Sequence, residues 1–134
     1  MTSYKSSNNI VFSCKYHVVW CTKYRRKVLI NDVEKRLKII TEEVCEELRC
    51  ELFEIKCDQD HVHILVEVGP QFGIHKLIKA IKGRSSKLLR SEFKSLTTKL
   101  PTLWTNSYFV STSGSAPSAK IKEYIQNQKT SQRQ

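Results

Sequence analysis

The apolar residues of this chain change their spacing in a set order, and that order limits the fold more than any single motif does. Residues 10–23 are rich in Val, Phe, Tyr, Trp and Cys and hold no Gly or Pro. They read as a long strand apolar on both faces, and therefore central in a sheet. Val33, Leu37, Ile40, Val44 and Leu48 then recur every three or four positions, a helical stripe that Asn31 or Asp32 can cap. Residues 51–57 and 61–68 read as two strands joined by the polar turn Asp58-Gln59-Asp60, a hairpin pattern that Gly69-Pro70 closes. From Gly73 the set Ile74, Leu77, Ile78, Ile81, Leu88 and Leu89 returns to helical spacing, with Gly83 placed to break or kink the helix. Residues 103–111 form a last strand, 111–118 a flexible joint containing Gly114 and Pro117, and 120–129 a final helix.

The order β-α-β-β-α-β-α predicts an α+β protein. Its first six elements match the ferredoxin-like split βαββαβ arrangement, an antiparallel sheet with strands one and three central and both helices on one face. The last helix is then an addition to that scaffold. With 134 residues, 40% of them hydrophobic, the chain is expected to be a single domain. It divides into a sheet-and-helix core at 1–112, a joint at 113–118 and a helix at 119–130. No run approaches the roughly eighteen apolar residues of a membrane span, and the N-terminus lacks a charged-then-apolar signal pattern, so a cytoplasmic location is expected. Five cysteines without a CxxC pair fit reduced, mostly buried thiols better than a disulfide framework.

Charge is segregated along the chain. Residues 1–68 hold 11 basic and 11 acidic side chains, whereas 69–134 hold 12 basic ones against Glu92 and Glu123 alone, so the whole net charge of +10 lies in the second half. A solubilising surface needs no such separation of sign, and a polyanion, nucleic acid above all, is the expected partner. The outer face of the first helix, with Glu42, Glu43, Glu46 and Glu47, should lie away from it. If Gly83 interrupts the second helix, Arg84, Ser85 and Ser86 sit near a helix N-terminus, where free N–H groups favour phosphate.

His61-Val62-His63 on a strand puts two imidazoles on one face, half of a metal site. Alone, the pair is equally compatible with structural histidines, and Cys57 with His61 and His63 makes a zinc alternative that lacks a fourth ligand. Tyr124 and Gln128 are four apart in the last helix and share a side of it. Tyr124 continues the apolar stripe Ile121, Tyr124, Ile125, so a packing role is open to it, but Gln128 on the same stripe is not what a packing face requires. A divalent cation held by His61, His63 and Gln128, a mixed nitrogen and oxygen set suited to Mg²⁺ or Mn²⁺, would orient a phosphodiester for attack by Tyr124. No GxxxxGK[ST] loop is present, and a phosphotyrosine ester needs no nucleotide to be reversed.

Five ordered segments carry a resemblance that extends over nearly the whole chain. They are Trp20-Cys21-Thr22-Lys23-Tyr24-Arg25-Arg26-Lys27-Val28-Leu29, Asp60-His61-Val62-His63-Ile64-Leu65, Lys82-Gly83-Arg84-Ser85-Ser86, Leu103-Trp104-Thr105-Asn106-Ser107-Tyr108-Phe109, and Tyr124-Ile125 with Asn127-Gln128. In these the chain resembles the HUH single-tyrosine transposases, the TnpA-type enzymes of the smallest bacterial and archaeal insertion sequences. The resemblance implies transposition by DNA recombination on single-stranded DNA, with imperfect hairpins recognised near the element ends. It makes Tyr124 the nucleophile joined to a DNA 5′-phosphate, and His61, His63 and Gln128 the ligands of Mg²⁺ or Mn²⁺ (magnesium or manganese). It implies a homodimer with active sites shared between subunits, although the sequence does not choose cis from trans assembly. Arg25, Arg26, Lys27, Lys82, Arg84, Ser85 and Lys87 would contact the DNA. The joint departs from the family pattern, since Gly114 is followed by Ser115-Ala116-Pro117 where relatives are richer in glycine.

Two other readings use the same scaffold. A nickase of replication or of repeat processing would share the chemistry, often with a lysine soon after the tyrosine, where this chain has Asn127 and Gln128. A non-catalytic RNA-binding module would stack bases on sheet aromatics, where this chain places imidazoles.

Overall fold

The computed structural model describes residues 4–7, 10–112 and 115–130. Its main sheet contains β3 (Lys15–Cys21), β4 (Glu51–Cys57), β5 (His61–Glu67) and β6 (Phe109–Ser111). The spatial order is β4-β5-β3-β6 with every neighbouring pair antiparallel. The central strands are therefore the first and third of the split βαββαβ unit, as expected. β1 (Lys5–Ser7) and β2 (Ile10–Phe12) form a separate two-stranded ribbon. Helices α1 (Asn31–Glu47) and α2 (Ile74–Glu92) pack together on one face, followed by the short α3 (Ser95–Lys99), and α4 (Ser118–Gln126) ends the fold.

Alternation along the two central strands decides what each face buries. Val18 and Trp20 of β3 and Val62, Ile64 and Val66 of β5 turn toward Leu37, Ile40 and Val44 of α1 and Leu77, Ile78, Ile81 and Leu89 of α2. All of these are fully buried. Trp20 meets Trp104 edge to face at 5.9 Å, a geometry worth about 0.5–1.5 kcal/mol beyond the area it hides. No helix among the described residues is long and apolar enough to cross a membrane.

The long strand expected over 10–23 is divided. Residues 10–12 pair with β1, residues 15–21 pair with β5 and β6, and residues 23–25 form a 3-10 turn, so one apolar run serves two sheets. The strand expected over 103–111 is also interrupted. Residues 103–105 pair with 21–23 through Lys23 N to Leu103 O at 2.8 Å and Thr105 N to Cys21 O at 3.1 Å. The ladder then lapses, because the carbonyls of Thr105 and Ser107 turn to the Lys82 ammonium at 2.6 and 3.1 Å. Neither Asn31 nor Asp32 caps α1, which begins after Ile30 without a side-chain cap. Of the joint, residues 113 and 114 lie outside the described residues, and the last helix ends at Gln126, short of the expected boundary.

Gly83 does not interrupt α2, which runs for 19 residues. One helical glycine costs about 1 kcal/mol, much less than burying the stripe Leu77, Ile78, Ile81 and Leu89 returns. Arg84, Ser85 and Ser86 are consequently mid-helix and not at a helix N-terminus. A Cβ built on Gly83 would meet nothing within 4 Å. Gly83→Ala should therefore stabilise the fold by about 0.4–1 kcal/mol, measured as a higher denaturant midpoint at unchanged slope.

Candidate active site

The register of β5 turns His61 and His63 away from the helix-covered core. His61 lies opposite Cys21, and His63 lies opposite both Val19 and Lys56. Cys57 lies opposite Val62, which places it on the core side of the sheet. The zinc alternative of Cys57 with both histidines is thereby excluded, and burial pushes the Cys57 thiol up to about 11. Cys21 and Cys45, pushed up to about 12 chiefly by burial, are likewise thiols, and all five cysteines are free.

His61 is held from one side. Its Nδ1 lies 2.8 Å from Asp60 Oδ1, while Asp60 Oδ2 accepts from Arg25 Nε at 3.3 Å. The carboxylate accepts a hydrogen bond from Nδ1–H and leaves the Nε2 lone pair free, the arrangement in which histidines bind metals. Arg25 reaches Asp60 from a turn in which Tyr24 and Arg25 both adopt left-handed backbone, φ 58° and 53°. Side chains disfavour this conformation, and here it is fastened by Thr22 Oγ1 to Arg26 O at 2.7 Å and Thr22 N to Asp60 O at 3.0 Å. His63 Nε2 lies 3.2 Å from Nδ1 of His17, a buried residue of β3. Burial first, then the neighbouring His17 and Lys56, hold the His63 pKa below the ordinary histidine value, so the ring is neutral and able to donate a lone pair at pH 7.

α4 lies over this face of the sheet. A groove of about 660 Å³ is lined by Arg25, Lys56, His61 and His63 below and by Ile121, Lys122 and Ile125 of α4 above. Three cations and two imidazoles make it suited to a phosphate. Tyr124 and Gln128 are brought together, but on the other flank of the helix. The Tyr124 hydroxyl is 2.8 Å from Ser107 Oγ, which also donates to Gln128 Oε1 at 3.3 Å, and Gln128 Nε2 donates to the Tyr124 carbonyl at 3.0 Å. The Tyr124 ring tilts against Phe109 at 6.1 Å. The hydrogen bonds of the phenol and of the amide oxygen thus run to the loop before β6, that of the amide nitrogen stays within the helix, and none runs to the histidines. Burial raises the Tyr124 pKa above the ordinary phenol value, an effect that the Ser107 bond partly opposes.

The basic residues expected to meet DNA take different positions. Arg26 and Lys27 are exposed beside the left-handed turn, and Lys87 is exposed on α2. Arg84 forms a forked pair with Glu47 of α1, one arm at 3.1 Å, and so belongs to the acidic side of the molecule. Lys82 is drawn inward to two carbonyls, and burial lowers its pKa to about 8. Ser85 is a correction: it is fully buried, and its Oγ accepts the Trp104 indole proton at 3.0 Å, so it holds the core and is not exposed to phosphate. Lys56, Lys122 and His17 have no place in the sequence-based expectations, and Ser107 enters them only as part of the segment 103–109, without a role. The hairpin register, which sets Lys56 beside His63, is a signal for Lys56, and the motif around Ser107 is one for that residue, whereas Lys122 and His17 have no signal short of the tertiary structure.

The sequence profile of the family described as IS200-like transposases matches residues 10–128. The chain is 33% identical to the ISDra2 transposase TnpA of Deinococcus radiodurans over 126 residues, which cover 92% of this chain and 90% of that one. It is 32% identical to the transposase for insertion sequence element IS200 of Salmonella typhimurium, covering 92% and 82% of the two chains. Among solved structures it is similar to a candidate transposase of Deinococcus radiodurans, with a TM-score of 0.87, 35% identity, and coverage of 95% and 99%. The fold alone is shared with a REP-associated tyrosine transposase bound to a REP hairpin, at a TM-score of 0.58 and 12% identity over 91% and 68% of the chains. With the profile spanning most of the sequence and relatives above 30% identity over nearly all of it, the chain belongs to the IS200-like transposase family.

Proposed function

We propose that this transposase cuts and rejoins single-stranded DNA at insertion-sequence ends through a covalent 5′-phosphotyrosine, recognising hairpins there and using a divalent metal. One observation carries the reading. Among the described residues α4 is the only α-helix with no buried residue, yet it both roofs the histidine groove and bears the phenol. A helix kept only to complete a core would bury its stripe.

The groove supplies what a phosphodiester requires. Arg25, Lys56 and Lys122 offer charge to non-bridging oxygens, and His61 and His63 offer nitrogens. With the amide oxygen of Gln128, released from Ser107, the donors form the mixed set that suits Mg²⁺ or Mn²⁺. Such an ion, when bound, polarises the scissile phosphate. Tyr124 Oη then bonds to phosphorus, the bond from phosphorus to the 3′ oxygen breaks, and the phenol proton ends on the departing 3′-hydroxyl. Attack by another 3′-hydroxyl on the phosphotyrosine reverses the step and joins a new strand, so no nucleoside triphosphate is consumed.

Because Tyr124 and Gln128 are bonded to Ser107, α4 must shift before the phenol meets a phosphate held by the histidines. Exchange of α4 between the two chains of a homodimer accomplishes this and places each tyrosine beside the partner's histidines. The light attachment of α4 supports that route. The other DNA contacts we assign to Arg26, Lys27 and Lys87, which are exposed.

The direct experiment is incubation with a labelled single-stranded oligonucleotide from the element end. A covalent protein–DNA band is expected with Mg²⁺, absent with EDTA and in Tyr124→Phe, while that variant binds the hairpin within about two-fold of wild type; parallel loss of binding would make Tyr124 structural. Mixing His61→Ala chains with Tyr124→Phe chains should restore up to one working site per heterodimer, and no recovery after verified subunit exchange would place the sites in cis. The pH profile follows from the raised Tyr124 pKa. The phenol is protonated at pH 7, and its reactive anion increases as pH rises toward a value above about 10. An ultraviolet difference titration of wild type against Tyr124→Phe should place this ionisation above that of a free phenol.

A further inference from the structure

His17 occupies a position where strand logic calls for an apolar residue. It shares its sheet face with Val19 and Cys21, both fully buried, and is itself only 4% exposed. Its register partners are Leu65 on β5 and Ser111 on β6. His63 is two residues from Leu65, so it stands diagonally across from His17, within reach of a long side chain. The two rings lie 5.4 Å apart at an interplanar angle of 51°, with His17 Nδ1 3.2 Å from His63 Nε2. The other nitrogen of His17, Nε2, is buried without a hydrogen-bond partner. An unpaired buried polar atom costs about 1–3 kcal/mol, and valine would fill the space without that cost. An imidazole here is therefore explained by what its other nitrogen does.

An imidazole turns easily about the bond to its Cβ, and its two edges are chemically different. Two histidines can share one ion only if each ring is held at a single rotation. Asp60 does this for His61 at Nδ1, which leaves Nε2 for the ion, and His17 does it for His63 at the opposite nitrogen, Nε2, which leaves Nδ1 of His63 for the ion. We propose that His17 is a positioning residue of the active site: its bond to His63 fixes that ring so that both imidazoles face the same metal ion. The inference rests on the metal reading above and adds a third imidazole to the machinery, set behind the ligand pair.

The test is Mn²⁺ binding to the full chain, followed by electron paramagnetic resonance of the free ion. Four proteins are compared: wild type, His61→Ala, His17→Phe and His17→Asn. Phenylalanine fills the space without a bond, whereas the asparagine amide can occupy the place of the imidazole Nδ1. Wild type should bind Mn²⁺ and His61→Ala should not. His17→Phe should bind about 10–100-fold more weakly while melting no lower than wild type, and His17→Asn should recover most of the affinity. Unchanged affinity in His17→Phe, or equal loss in both His17 variants, overturns the positioning role. Equal binding by wild type and His61→Ala overturns the metal reading and the inference with it. A second measurement needs no variant: imidazole ¹⁵N spectra of the metal-free protein should show His63 in one tautomer, and an average of two overturns the proposal.

Discussion

The pairing of β3 with β5 is the constraint on which the remaining structure depends. Seven consecutive residues of each strand are in register, from Lys15 opposite Glu67 to Cys21 opposite His61. Side chains alternate with a period of two, so a slip by one residue would bury both histidines beneath α1 and α2 and expose Val62 and Ile64. The hydrophobic core therefore enforces the geometry of the polar face. Trp20, Val62, Ile64 and Val66 carry no chemistry, yet their demand for burial aims His61 and His63.

Around that register the site is built from elements of unequal firmness. The histidine side is anchored in the two central strands and in the bonds from Arg25, Asp60 and His17. The tyrosine side is a nine-residue helix with Ile121, Tyr124 and Ile125 only half-buried. A firmly held histidine pair and a lightly held tyrosine helix suit the reaction proposed above, in which one strand is released before another is accepted and the two halves part and meet again without unfolding the sheet.

Most of the scaffold was legible because each element repeats its signal. The stripe Val33, Leu37, Ile40, Val44 and the alternation around Val62 are statements made several times over. Elements defined by a single residue were misread. That Gly83 should break or kink its helix is an expectation from a local cost visible in sequence, whereas the packing of Leu77, Ile81 and Leu89 that outweighs it is tertiary. Ser85 is expected to meet phosphate if a helix begins at Gly83, and the bond from Trp104 that gives it a core role instead spans 19 residues and has no local signal. The histidine pair, the tyrosine and the glutamine stood out as chemistry-bearing types in a patterned context. His17 did not, since nothing local distinguishes a ring that serves another ring 46 residues away.

The left-handed turn at Tyr24 and Arg25 sets stability against geometry at one position. A glycine at residue 25 would relieve a backbone conformation disfavoured by about 1 kcal/mol or more, but it would also release Asp60 and, through it, His61. Selection of variants for heat resistance alone would thus draw this turn toward glycine and loosen the histidine it serves. Thermal robustness and chemical competence are separate traits at this turn, and a lineage under pressure for only one of them would drift away from the other.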